Sequence, residues 1–322
     1  MKALVTGGTG FVGGHLIDAL LRAGDSVTTL VRSPPKALGL AERGVRIVTG
    51  DLDHAAALRE AARAQDVVFH CAGLVAARDE AGFLAVNRDG TERVLAAASE
   101  VSDAHFVLIS SLAAAGPSPR GGRRANDEPP APVTAYGRSK LAGEQVVRAG
   151  KLPWSIVRPP GVYGPRDREF LRVFKAVRLG WVPVFGAGTQ QLSLVYASDL
   201  AEALAAVGRN RNTAGGIFYP CHPEVVSSAE LASTIGRVMG RTVRIIPLPR
   251  WVAGATLGLT ATAARLTGGT TLLTLDKANE FFAAAWTADP APLSAATGWR
   301  ATHDLASGAE ATAAWYRAAG WV

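Results

Sequence analysis

The chain has 322 residues, 48% of them hydrophobic and 19% charged, which fits one large or two modest globular domains with a sizeable core and excludes a disordered polymer. Its net charge of +7 comes from scattered basic residues with one short cluster at Arg120, Arg123 and Arg124, so nucleic acid is not expected as a partner, whereas anionic small ligands are favoured. Cys71 and Cys221 offer neither a CxxC pair nor a disulfide framework, and the histidines form no HxxxH or HExxH pair, so a reducing, cytoplasmic setting is expected and no metal site.

In chain order, Lys2 to Val5 reads as a strand, and the Gly-rich turn that follows leaves no stretch resembling a secretory leader. Further strands are expected at Ser26 to Val31, Val45 to Thr49, Asp66 to Cys71, His105 to Ser110 and Trp154 to Val157. Several are nearly continuous in Val, Ile, Leu or Phe, the pattern of strands buried on both faces. Helices are expected at Val12 to Ala23, His54 to Ala62, Gly90 to Ser99 and Ala135 to Ala149. The alternation predicts an α/β fold, a Rossmann-type doubly wound parallel sheet. Residues 116–132, rich in Pro, Arg and Gly, read as a mobile surface loop, and Pro159 to Pro165 as another loop. Beyond Arg158 the alternation stops. The expected division is a nucleotide-binding domain over 1–160, rejoined by parts of 190–220, and a smaller, mostly substrate-binding region over 161–322. Trp251 to Leu266 is apolar but too interrupted to span a membrane. It fits a buried or substrate-covering helix, or one that rests on a membrane surface as a peripheral contact.

Three constellations carry chemistry. The first is Thr6-Gly7-Gly8-Thr9-Gly10-Phe11-Val12-Gly13, between the first strand and its helix. Gly7 allows a tight turn, Gly10 close approach of backbone to a pyrophosphate, and Gly13 packing of helix on strand. Free N–H groups at the helix start suit phosphate oxygens. The second is the end of the second strand, Val31-Arg32-Ser33-Pro34. An acidic residue here would hold the ribose hydroxyl of NAD(H); Arg32 and Ser33, with Lys36 nearby, instead suit the 2′-phosphate of NADP(H). Stacking of Arg32 on adenine is the alternative use. The third is Ser111, at a strand end, with Tyr136 and Lys140 four apart on one helix face. A tyrosine hydroxyl titrates near pH 10 in isolation; a neighbouring ammonium favours the phenolate and brings proton transfer within reach of working pH. Ser111 is placed to hold the substrate oxygen.

Taken together, these motifs make the chain resemble an extended short-chain dehydrogenase/reductase of the NAD-dependent epimerase/dehydratase superfamily, over almost its whole length. The resemblance implies that Ser111, Tyr136 and Lys140 are catalytic, with Tyr136 and Lys140 also touching the cofactor. It implies cofactor contacts from Thr9, Phe11 and Val12 in the Gly-rich turn, from Asp51 and Leu52 at an adenine-contacting turn, and from Cys71, Ala72 and Gly73 at a strand end passing the nicotinamide ribose. It adds Asn87, which would hold helix geometry or a proton-relay water, and Pro159, Gly161 and Val162 in a loop meeting the carboxamide. Asp199 reads as structural. A homodimer through two helices per subunit is a further implication.

The pattern departs from sugar-nucleotide members at Gly161, where those enzymes often carry Asn, and at Leu192, where they often carry Arg. Two contacts to a substrate diphosphate are thus missing, and a buried charge needs such partners. The remainder is closer to the 3β-hydroxysteroid dehydrogenase and dihydroflavonol 4-reductase branch. The expected substrate is therefore a ketone, aldehyde or secondary alcohol on an apolar or aromatic molecule, steroid- or flavonoid-like, with Trp181, Phe185, Trp251 and Phe281 as candidate pocket lining. An NDP-sugar epimerase, dehydratase or reductase, and a non-catalytic NADP-binding sensor, are the alternatives.

Overall fold

The computed structural model describes residues 1–249 and 277–322. Strands β1 (Lys2–Thr6), β2 (Ser26–Val31), β3 (Arg46–Thr49), β4 (Val67–His70), β5 (His105–Ile109) and β6 (Trp154–Val157) are all parallel. With a later strand, Ile217–Phe218, they form one seven-stranded sheet in the order β3-β2-β1-β4-β5-β6 and then Ile217–Phe218. The expected doubly wound sheet is therefore present, with its reversal of strand order between β1 and β4, where such sheets open a crevice at their carboxyl ends.

Alternate residues of each central strand feed two cores. Ala3, Val5, Val67, Phe69, Val107 and Ile109 face one side of the sheet, against α1 (Phe11–Arg22) and the helix Ala197–Arg209. Leu4, Val68, Phe106 and Leu108 face the other, against residues of the helices Ala55–Ala62, Asp89–Val101 and Ala135–Ala149. A strand apolar at every position is thus explained by helices on both faces.

The second half packs around a third core that includes Phe174, Val177, Val182, Val184, Leu231, Ile235 and Tyr316. Its strands are short. Gly161–Tyr163 pairs in parallel with Leu194–Tyr196, and Trp181–Phe185 with Arg244–Leu248. Asp199 accepts hydrogen bonds from the backbone and side chain of Thr302 and from the backbone of His303, tying the approach to the last helix, Leu305–Ala318, onto the core. That agrees with the structural reading of Asp199.

Two expectations need correction, and one element was not expected. Pro159 to Pro165 is not all loop, because Gly161–Tyr163 is hydrogen-bonded as a strand. Residues 116–132 are not a free surface loop: Arg124 is buried, donating to the Ala115 and Pro129 carbonyls and pairing with Glu128, and Ser118 meets Thr287 at 2.6 Å. Thr287, 169 residues from Ser118 in sequence and invisible to local composition, helps hold that stretch down. A helix at Glu80–Asn87, capped by Asp79, was not expected. Trp251 to Leu266 lies outside the described residues.

Candidate active site

A cavity of about 550 Å³ opens at the carboxyl ends of β1, β2 and β4. Gly7, Thr9, Gly10, Arg32, Asp51, Leu52, Cys71, Ala72 and Gly73 line it, all of them expected from the sequence. Gly7 takes φ +71°, and a Cβ there would press on the Ala72 backbone, while one on Gly13 would collide with the Gly7 carbonyl. The turn is therefore built for glycine. The helix behind it has Gly10 as its N-cap, with no side-chain cap and no acidic residue in the first turn. Its first N–H groups are left for a ligand, in a setting that favours negative charge. Phe11, Val12 and Gly13 continue this helix behind the lining. Arg32 is exposed at the cavity rim, with Ser33 half-buried beside it.

The floor of the turn is held by His70. Its Nδ1 lies 2.7 Å from Thr6 Oγ1 and its Nε2 3.1 Å from Thr91 Oγ1, and Thr6 Oγ1 accepts from Ala72 N–H at 3.2 Å. Burial pushes His70 down to about 3, so it is neutral. Burial also pushes the Cys71 thiol up to about 12, which rules it out as a nucleophile at neutral pH.

The chemical end begins at Gly73. A Cβ on it would lie 3.0 Å from Asn87 Oδ1 and 3.5 Å from Lys140 Nζ. Asn87 accepts from Leu74 N–H at 2.8 Å, donates to the Leu74 carbonyl at 3.0 Å, and donates to Ser139 Oγ at 2.9 Å. It locks the lip of the cavity to the helix Ala135–Ala149. Of its two expected uses, holding local geometry is the one visible.

Ser111, Tyr136 and Lys140 are brought together at this end. Ser111 caps the short helix Leu112–Ala115, accepting from Ala113 N–H, and its hydroxyl is hydrogen-bonded to that of Tyr136. Thr134 caps the Tyr136 helix, and Gly137 lets it approach so closely that a Cβ would strike the Ala113 carbonyl. That contact sets the Ser111–Tyr136 spacing. Phe83 packs its ring 5.9 Å from that of Tyr136. Lys140 donates to the Ile109 carbonyl at 2.7 Å.

The electrostatics differ from the expectation. Desolvation pushes Tyr136 up to about 12, with the Ser111 hydrogen bond acting against it. Burial brings Lys140 down to about 8, opposed by the charge of Glu144. Tyr136 thus rests as a phenol, because the Lys140 ammonium points at a backbone carbonyl and desolvation prevails.

Several residues escaped the sequence reading. Leu74 and Arg93 also line the cavity. Arg93 reaches over from its helix to the Leu52 carbonyl at 2.9 Å and to Asp53 at 2.6 Å, bracing the adenine-side turn. Glu144, one helical turn beyond Lys140, forms a two-pronged pair with Arg158 at 2.9 and 2.6 Å, fully buried, and also accepts from Ser110. Its spacing from Tyr136 and Lys140 placed it on the same helix face, which was the available signal. Pro159 accepts from Leu112 N–H at 2.8 Å and so adjoins the Ser111 turn. Gly161 faces Leu194 and Phe170, and Val162 packs on the core. Trp181, expected in the pocket, is 56% exposed, with the Arg244 guanidinium 5.7 Å from its ring centroid. Phe185 and Phe281 stack with centroids 4.3 Å apart.

A family model described as the NAD dependent epimerase/dehydratase family matches residues 3–219. The chain belongs to this family. It is 36% identical over 322 aligned residues to a ceramide reductase of Caulobacter vibrioides, covering 99% of this chain and 95% of that protein. It is 31% identical to a 4-hydroxy-2-methyl-3-oxo-4-farnesyl-3,4-dihydroquinoline-1-oxide ketoreductase of Stigmatella aurantiaca, covering 68% and 67% of the two chains. The fold matches that of UDP-glucuronic acid 4-epimerase from Bacillus cereus, in complex with UDP-glucuronic acid and NAD, with a TM-score of 0.80 at 23% identity over 99% of this chain and 100% of that one. As a member of the epimerase/dehydratase family, and of the extended short-chain dehydrogenase/reductases with it, the chain is an enzyme of the epimerase and reductase kind that works with a nicotinamide nucleotide. The cavity fits that group: the glycine turn, the uncapped helix start and the lip at Gly73 form one continuous cradle.

Proposed function

We propose that this enzyme is an NADP(H)-dependent ketoreductase whose substrate is an apolar, long-chain ketone, interconverted with its secondary alcohol. The observation that carries the reading is the Lys140 amine beside Gly73, a residue of the cavity wall, on the helix that holds Tyr136 against Ser111. Residues 1–160, with the strand Ile217–Phe218, would hold the cofactor, and 161–322 most of the substrate. The glycine turn and the uncapped helix would hold the pyrophosphate, Asp51 and Leu52 the adenine side, and Arg32 and Ser33 the 2′-phosphate, an anion that Arg can grip with two N–H groups. The bound nicotinamide supplies or accepts a hydride at the carbonyl carbon. Ser111 donates a hydrogen bond to the substrate oxygen and keeps it beside Tyr136. Tyr136, a phenol at neutral pH, gives that oxygen its proton. Lys140 places positive charge beneath the phenolate so formed.

Support for an apolar substrate is twofold. The two positions where a diphosphate would need polar partners are occupied by Gly161, packed against Leu194 and Phe170, and by the half-buried Leu192. The relative matching 99% of the chain is a ceramide reductase, so a ketone on an amide-linked long-chain lipid comes before steroid or flavonoid ketones in the order of trial.

The test is cofactor fluorescence followed by turnover. NADPH should bind more tightly than NADH, and its oxidation should require a ketone from a panel holding the ceramide-type ketone, steroids and flavonoids. Tyr136→Phe should bind NADPH normally and turn nothing over. Interconversion of UDP-sugars without net cofactor oxidation would replace this reading with epimerisation. NADPH binding with no turnover of any panel member, or of UDP-sugars, would favour a sensor.

A further inference from the structure

The helix Leu171–Arg178 buries Phe174 and Val177 and turns Arg172, Lys175 and Arg178 outward at three-residue spacing. At its end the chain turns through Leu179 and Gly180 into the strand Trp181–Phe185. The turn buries neither large side chain: Leu179 is 75% and Trp181 56% exposed. The neighbouring strand, Arg244–Leu248, sets Arg244 in register with Trp181, and Arg241 is exposed just before it.

The corner is of one charge sign. No Asp or Glu occurs between Glu169 and Asp199, nor between Glu230 and Asp276. Arg172 reaches Glu169 at 3.8 Å. Lys175, Arg178, Arg241 and Arg244 have no acidic partner among the described residues. An exposed Leu and Trp ringed by cations has the composition of a surface that sits at a lipid interface, with aromatic and aliphatic groups at headgroup depth and cations against anionic lipid. A nucleic acid would reward the cations but gain nothing from Leu179.

We propose that this corner docks the enzyme on an anionic lipid bilayer. No described helix is long and apolar enough to cross a membrane, so the contact is peripheral. The docked strand also leads toward the chemistry. It runs from Trp181 to Phe185, whose ring stacks on Phe281, and the helix carrying Phe281 places Asn279 Nδ2 3.4 Å from the Val133 carbonyl, just before the Tyr136 helix. Delivery of a membrane-borne ketone along this route rests on the function proposed above; docking itself rests on the patch.

The experiment is sedimentation of the full chain with vesicles of phosphatidylcholine, alone or containing phosphatidylglycerol. Binding is expected to the anionic vesicles and to weaken with salt. A basic residue near such a surface contributes about 1 kcal/mol, so Lys175→Ala with Arg178→Ala should lower partitioning roughly 25-fold. Leu179→Ser should lower it independently while leaving the salt dependence in place. Both variants should keep wild-type NADPH affinity and wild-type turnover of a small water-soluble ketone. Failure of the wild type to bind anionic vesicles, or equal binding by wild type and variants, would overturn docking. So would capture of RNA or DNA in place of vesicles. Conversion of a dimer to a monomer by Leu179→Ser in light scattering would reassign the corner to contact between copies. Vesicle binding without turnover of any ketone would leave docking standing and remove the substrate reading alone.

Discussion

At the residue scale, desolvation acts in opposite directions on the two groups proposed for proton transfer. Desolvation pushes Tyr136 up to about 12 and pulls Lys140 down to about 8. The phenol is therefore protonated throughout the neutral range, and Lys140 is the group that changes charge first. Because its pKa is lowered, its ammonium is present below about 8 and lost above it. Ketone reduction should accordingly be level through neutral pH and fall as pH rises through about 8, measured as single-turnover NADPH oxidation; a fall centred below pH 6.5 instead would assign control to a histidine. Tyr136→Phe should lower that rate roughly 10²- to 10⁴-fold, the usual contribution of positioned proton transfer. Arg32→Ala should weaken NADPH by roughly 10- to 100-fold, equivalent to a charge-assisted contact of about 1.5–3 kcal/mol, and leave NADH unchanged in a fluorescence titration. The positions of these side chains could be read from the sequence because each sits in a local motif. Their protonation could not, since it depends on where the Lys140 amine points, and that is decided by the Ile109 carbonyl on another strand.

At the scale of elements, the Tyr136 helix is anchored through the pair it makes with Arg158, the residue that follows β6. Glu144 and Arg158 are 0% and 2% exposed, joined by two hydrogen bonds, with Tyr219 accepting from Arg158 at 2.7 Å and Ser110 donating to Glu144. Removing one partner strands a buried charge. Glu144→Ala should cost about 3–5 kcal/mol in urea denaturation, well beyond a surface ion pair. The Arg138–Glu80 bridge gives the contrast, being nearly half exposed on both sides; Glu80→Ala should change stability by about 1 kcal/mol or less. A similar loss from both variants would mean that the buried pair does not anchor the helix. The strands of the first half and the long helices between them were legible to within a residue or two, because burial on both faces leaves an unbroken apolar run and those helices keep their own period, whereas the helix Glu80–Asn87 and the short helices Leu38–Ala41 and Leu112–Ala115 were not. The short strands of the second half were not. Each is two to five residues long and pairs with a segment far away, as Gly161–Tyr163 does with Leu194–Tyr196. The cross-links that fix residues 116–132 escaped for the same reason.

Over the whole molecule, the sheet and the cavity depend on histidines that stay neutral. His70 supports the glycine turn and is pushed down to about 3, and His105, buried on β5, down to about 4, both by desolvation. An unfolded histidine titrates near 6.5. The folded-state values lie below the unfolded one, so the unfolded chain takes up these protons first as pH falls. Stability is intact above about pH 6.5 and is lost progressively beneath it, by about 2–3 kcal/mol per buried histidine at pH 4.5. Carboxylates with lowered pKa, such as Asp18, Glu80 and Asp304, cannot cause this loss, because their unfolded values lie near 4 and their stabilisation begins to fail only there. The fall over the interval between pH 6.5 and 4.5 therefore reports on the buried histidines, His15 among them, whose pKa burial also lowers, while Asp167, raised by burial, acts in the opposite sense. Urea midpoints for the full chain should drop steadily across that interval, and His70→Gln, which keeps hydrogen-bonding capacity toward Thr6 and Thr91 but cannot be protonated, should remove a measurable part of the slope and leave the rest to His105 and His15. Midpoints that stay level from pH 7 to 4.5 would show that His70 and His105 are free to charge in the folded state, and the neutral floor beneath the nucleotide turn would have to be abandoned. Saturating NADPH should raise the midpoint at every pH in that interval, since it binds the folded state.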